Sequence, residues 1–238
     1  MRFQDAAKDA RAVVYAGIQA DPLVARAGAL LAEATAAERL MARAAMNGER
    51  TDPDVWRRIF PTLFGEVPGD VAGAGAAAPG AAEAAVNRAR AEAILAVSLE
   101  IAERGEAARS SYRGAVVEEL TARLLARRAA PAAVKRERRV LFDGVRAEIH
   151  PYDVTVESDS QPEVYDCKWG ARGINADVLN QLDDARAHAA DEEISLAVAI
   201  VVFDARRSCE MRLDRSTAEH AGTRLIALES LDELAAAR

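Results

Sequence analysis

A chain of 238 residues, half of them hydrophobic, holds enough apolar side chain for one large core or two modest ones. Its formal net charge of −7 excludes a globally basic nucleic-acid coat, so any contact with phosphate must come from a local patch or from bound metal. Two cysteines, Cys167 and Cys209, exclude a disulfide framework, and no CxxC or HExxH spacing points to zinc.

The opening residues MRFQDAAKDARAVVYAGIQADPL scatter charge through a short apolar run, which is not a signal-peptide pattern. No apolar segment is long enough to span a bilayer. The expectation is a cytoplasmic protein with no membrane partner. Aromatic residues make up only 5%, and alanine does much of the apolar work, which favours helix. Of 31 basic residues only Lys8, Lys135 and Lys168 are lysine, so a lysine within a strand calls for a reason.

Residues 3–47 are helical in pattern. AKDARAVVYAGI reads as one amphipathic helix, and Asp21-Pro22 as the start of a long second one that runs to Asn47-Gly48. Thr51 to Phe60 repeats the start signal in a short helix carrying Trp56. Residues 66–82 are rich in Gly, Ala and Pro and read as a linker. A long helix is predicted from Ala81 to Arg109. These features define a helical region over 1–110, with a packing or dimerising role that would support a homodimer.

From residue 111 the pattern changes. Tyr112 to Arg128 predicts an amphipathic helix with adjacent Glu118 and Glu119. After Pro131 the chain turns β-like, and Asp143-Gly144 is a turn signal. Val145 to Gly170 then reads as two strands joined by a polar turn. On the first, Asp153, Thr155 and Glu157 alternate with Val154 and Val156; on the second, Asp166 and Lys168 share one face while Tyr165, Cys167 and Trp169 take the other. Pairing would bring Asp153 beside Asp166 and Lys168. Residues 174–190 predict a helix, Ser195 to Phe203 a strand covered on both faces, Thr223 to Leu228 a last short strand, and Ser230 to Ala237 a closing helix.

This order, with Glu118 in GAVVEEL, Asp153 in HPYDVTV, and Asp166 and Lys168 in VYDCKWG, resembles the PD-(D/E)xK nuclease superfamily. Gln181 in DVLNQL is similar to a glutamine that several branches carry on the following helix. The resemblance covers residues 112 to about 234. The acid-x-Lys triplet is the only one in the chain and lies thirteen residues after Asp153. Tyr152 rather than proline precedes Asp153, and Glu119 competes with Glu118, about 100° away on the helix.

The resemblance implies an α+β fold with a restriction endonuclease-like αβββαβ core over 111–238, preceded by the helical region. It implies a Mg²⁺-dependent deoxyribonuclease, endonuclease rather than exonuclease, with Mn²⁺ as a substitute ion and a defence or restriction role. Asp153, Asp166, the Cys167 backbone carbonyl and Glu118 would bind metal through hard oxygen donors. Lys168 would position or help deprotonate the attacking water, or stabilise developing charge, and Gln181 would orient water, lysine or phosphate. Arg123, Arg127, Arg128, Lys135, Arg136, Arg138 and Arg139, against Glu137, form a basic stretch that would bind nucleic-acid phosphates, DNA in particular. Two other readings fit the same residues: a nuclease-fold module that binds nucleic acid without cutting it, and a helical oligomerisation scaffold.

Overall fold

Most of the β-branched and aromatic residues of the second half enter one mixed sheet. The computed structural model of the protein describes residues 1–6, 10–65, 81–143, 145–146, 150–216, 218 and 221–236. The linker reading of 66–82 falls largely on residues outside this set, as do Gly144, Glu148 and His220.

Among the described residues the strands are β1 (Arg2–Asp5), β2 (Val134–Phe142), β3 (Val145–Arg146), β4 (Tyr152–Val156), β5 (Glu163–Lys168), β6 (Ala197–Val202) and β7 (Arg224–Ala227). The sheet order is β1-β2-β4-β5-β6-β7, with β3 hairpinned onto β2. Strands β1 to β5 pair antiparallel; β6 and β7 join in parallel. The parallel strand β6 is the Val/Ile run, covered on both faces as its continuous hydrophobicity requires.

The helices are α1 (Ala10–Gln19), α2 (Pro22–Ala32), α3 (Ala36–Met46), α4 (Pro53–Ile59), α5 (Ala81–Ala102), α6 (Glu106–Leu125), α7 (Ala176–Asp191) and α8 (Arg206–Leu213). The fold is α+β. Several expectations change at this level. Residues 2–5 form an edge strand rather than helix, because they find the free side of β2 and Asp5 meets Arg138. The long second helix breaks at Glu33–Thr35, where Thr35 and Glu38 form a capping box that starts α3. The helix predicted to Arg109 ends at Ala102, and Gly105 extends the chain before α6 begins. The stretch predicted as one strand from Val145 becomes β3 and β4. Asp143 sits in the left-handed region at the β2–β3 turn, as an Asp-Gly hairpin demands. The closing helix is 3₁₀, Leu228–Leu234.

Helix α6 is the pivot. It packs on α1, α2 and α5, and also on β2, β4, β5 and β6. The division drawn between residues 110 and 111 therefore falls inside one helix. A single apolar cluster runs from Leu31, Met41 and Ile94 through Val117 and Leu124 into Val154, Tyr165 and Val201. Helix α7 covers the other face with Leu179, Leu182 and Ala185 against Val164, Val198 and Ile200. Gly28 lets α2 approach α6 closely, since a Cβ there would lie 2.3 Å from Glu119 Cγ.

The end of α6 is tied to the sheet by a buried ion pair. Arg128 donates two hydrogen bonds to Glu163, at 2.8 and 2.7 Å, and others to Tyr165 Oη and the Leu234 carbonyl. Removing one member of such a pair strands a buried charge, which costs about 3–5 kcal/mol. Arg128→Met should therefore lower stability in urea unfolding by about 3 kcal/mol.

Candidate metal centre

The β4–β5 register pairs Val154 with Tyr165, so the next residues along, Asp153 and Asp166, stand opposite each other. Asp166 is buried and forms an ion pair with Lys168, two residues on along the same face. A Cβ on Gly173 would lie 2.8 Å from Lys168 Cδ, so this glycine leaves the passage for the lysine stem. Asp153 accepts a hydrogen bond from the Cys167 backbone N–H. The sequence-predicted trio thus meets at the end of the β4–β5 pair.

Glu118 reaches the same corner from α6. It is buried, and it accepts hydrogen bonds from Tyr15 Oη and, at 2.6 Å, from Gln19 Nε2, both on α1. Glu119 turns elsewhere, pairing with Arg123 and Arg136. The choice between two adjacent acids is made by how α6 docks.

A further carboxylate completes the group. Glu137 lies in β2, opposite Asp153 in the register that pairs Arg136 with Val154 and Arg138 with Tyr152. Its φ is +53°, a left-handed conformation in the middle of a strand. For a residue other than glycine this costs on the order of 1–3 kcal/mol and persists only where surrounding structure imposes it. One oxygen each of Glu118, Glu137 and Asp153 lies within 4.8 Å of the others, so this triad could hold a metal ion. The expected set is Asp153, Asp166, the Cys167 backbone carbonyl and Glu118; the structure brings Glu137 to ligand spacing with Glu118 and Asp153, and Asp166 is ion-paired with Lys168. In sequence Glu137 shows only as the lone acid within KRERR, with nothing to say that it faces inward. Tyr15 and Gln19 carry no local signal at all.

The surroundings make these carboxylates reluctant to ionise. Burial pushes the Glu118 carboxyl up to about 7, against the opposing hydrogen bonds from Tyr15 and Gln19. Burial, then the Asp166 and Glu118 charges, hold Asp153 well above the usual carboxylate range. Burial raises Asp166, with Lys168 pulling the other way, and burial also raises Glu137. For Lys168 burial opposes the charge, but Asp166 and Asp153 outweigh it and keep the ammonium protonated. A divalent cation bound by hard oxygen ligands fits this donor set, which contains no imidazole or thiolate.

The remaining predicted residues are placed differently. The Gln181 side chain pairs with both backbone groups of His150, accepting from its N–H and donating to its carbonyl, each at 3.1 Å. It holds the entry to β4, three residues before Asp153. Cys167 is buried beside Thr121, on the face away from Lys168. In the basic stretch, Arg123 and Arg136 pair with Glu119, Arg127 with Glu33, Arg128 with Glu163, and Arg138 with Asp5 and Glu157. Those five guanidiniums are committed to carboxylates within the chain; Lys135 is exposed. A cleft of about 430 Å³ opens between α1 and β2, lined in part by Tyr15, Ala16, Gln19, Arg136, Glu137 and Pro151.

The raised Glu118 pKa has a consequence for stability without metal. Unfolded, this carboxyl titrates near ~4.3, so between there and about 7 the native state holds a proton the unfolded chain releases. Stability is then greatest below the unfolded value and falls as pH rises through the native one. Urea midpoints in chelator should decline from pH 5 to pH 7, and Glu118→Gln should flatten the slope over that window. No family model matches the chain, and no characterised protein or solved structure is significantly similar to it.

Proposed function

We propose that this protein is a metal-dependent nuclease that hydrolyses phosphodiester bonds, with DNA as its substrate and Mg²⁺ as its ion. What carries the reading is one observation: Asp153 stands opposite Asp166, Asp166 is ion-paired with Lys168, and Asp153 also shares a ligand-spaced corner with Glu118 and Glu137. The order α6, antiparallel β2, β4 and β5 with the two-residue β3 between β2 and β4, then α7 and a parallel β6 supports it, since apart from β3 it is the order expected from the αβββαβ arrangement of the family the sequence resembles.

Asp153, Glu118 and Glu137 would hold the ion. When bound, the ion supplies charge relief at the phosphate and a nucleophile at neutral pH. Lys168 acts as an ammonium. Held in its charged form by Asp166 and Asp153, it is a donor to a phosphoryl oxygen rather than a base, and it stabilises negative charge developing there. Asp166 aims the ammonium. Gln181 fixes the His150 backbone and so the approach of β4, which sets the height of Asp153 in the site.

The test is cleavage of single- and double-stranded DNA, and of RNA, with Mg²⁺ or Mn²⁺. Lys168→Ala and Asp166→Ala should each reduce metal-dependent cleavage at least about 100-fold, the scale of removing a transition-state donor. Cleavage unchanged in both variants would exclude these residues from the chemistry.

A further inference from the structure

We infer that Tyr15 and Gln19 of α1 are positioning residues of the metal centre, holding Glu118 and Glu137 at ligand spacing before an ion arrives. The inference rests on the metal reading above and extends the centre into the first twenty residues of the chain.

A single amide does most of the bridging. Gln19 Nε2 donates to Glu118 at 2.6 Å and to Glu137 at 3.1 Å, while Tyr15 Oη donates to the other Glu118 oxygen. An amide nitrogen carries two hydrogens, so one group serves two carboxylates from different elements. Each carboxylate oxygen keeps further lone-pair capacity for a cation. The chemistry of the donors is telling. Arginine supplies nearly all the cations of this chain, yet the groups that α1 brings to these acids are neutral. A guanidinium at position 19 would cancel the negative charge that a divalent ion needs. A neutral amide restrains the two carboxylates and leaves their charge intact.

Helix α1 is built for this contact. It contains no fully buried residue, and Val13 and Val14 face outward. Ala12, Tyr15, Ala16 and Gln19 follow helical spacing toward the cleft, and Ile18 packs against the main apolar cluster. Independently, α6 carries a glycine in its interior at the point of contact. A Cβ on Gly114 would lie 3.0 Å from Tyr15 Oη. Gly114 is one turn before Glu118, so the space that admits the Tyr15 ring and the acid it restrains lie on the same helix face. Hydrogen-bond partners of metal-ligating carboxylates are worth about 10–100-fold in metal affinity.

The experiment is Mn²⁺ binding to the full chain, followed by calorimetry and by the electron paramagnetic resonance of free and bound Mn²⁺, with urea unfolding alongside. Gln19→Leu should weaken Mn²⁺ at least about tenfold, and Tyr15→Phe several-fold, with both proteins folded. Gly114→Ala favours the helix intrinsically but crowds Tyr15, so it should weaken Mn²⁺ without lowering the urea midpoint. Gln19→Arg separates positioning from simple bracing: it should strengthen the contact to the acids, raise the urea midpoint and still weaken Mn²⁺. Equal or tighter Mn²⁺ binding by Gln19→Leu and Tyr15→Phe, with wild type binding normally, overturns the assignment and leaves the metal reading intact. A wild-type chain that binds no Mn²⁺ removes both.

Discussion

The gathering of carboxylates in a poorly solvated corner is the constraint on which this structure turns. Glu118, Glu137, Asp153 and Asp166 converge where α6, β2, β4 and β5 meet, with one ammonium, Lys168, paired among them. Burial raises the pKa of all four acids, and neighbouring carboxylate charges add to the rise at Asp153, from Asp166 and Glu118, and at Glu118, from Glu137. Arg136 offsets charge at Glu118 and Glu137, and backbone and neutral donors add to this: the Cys167 N–H at Asp153, Tyr15 at Glu118, and Gln19 at Glu118 and Glu137. A divalent cation is the natural counter-charge for such a set.

The helical first half gains a role from this arrangement. It packs on α6 through α2 and α5 and continues the same apolar cluster that fills the sheet face. Helix α6, which carries Glu118, is packed from both sides, by these helices and by the sheet. The arginines surrounding α6 and β2 work in the same sense. Arg123 and Arg136 draw Glu119 aside, and Arg128 anchors the end of α6 to Glu163. Five arginines of the stretch that reads in sequence as phosphate-binding also form ion pairs within the fold.

Local rules carry parts of this protein far. Two-residue alternation places Asp153, Asp166 and Lys168 on one face, and the continuous Val/Ile run of 195–203 announces a strand covered on both sides. Other features resist such reading for identifiable reasons. Strand β1 has only four residues and exists because the edge of β2 is open to it. Glu137 sits among four cations in KRERR, and its inward direction follows from a left-handed backbone that only its neighbours in the sheet impose. Gln181 lies on the predicted helix, but the His150 backbone takes up its amide.

Sequence alone determined the order of elements from α6 to β6, the shared face of the acid-x-Lys triplet, and the presence of a glutamate near it, because these depend on periods of two and 3.6 residues. Tertiary structure decided that Glu118 rather than Glu119 faces the centre, that Glu137 joins it, and that Tyr15 and Gln19 close over it. Those outcomes depend on how α1 and α6 dock against the sheet. Docking angle is set by the packing of residues a hundred positions apart, which no local period encodes.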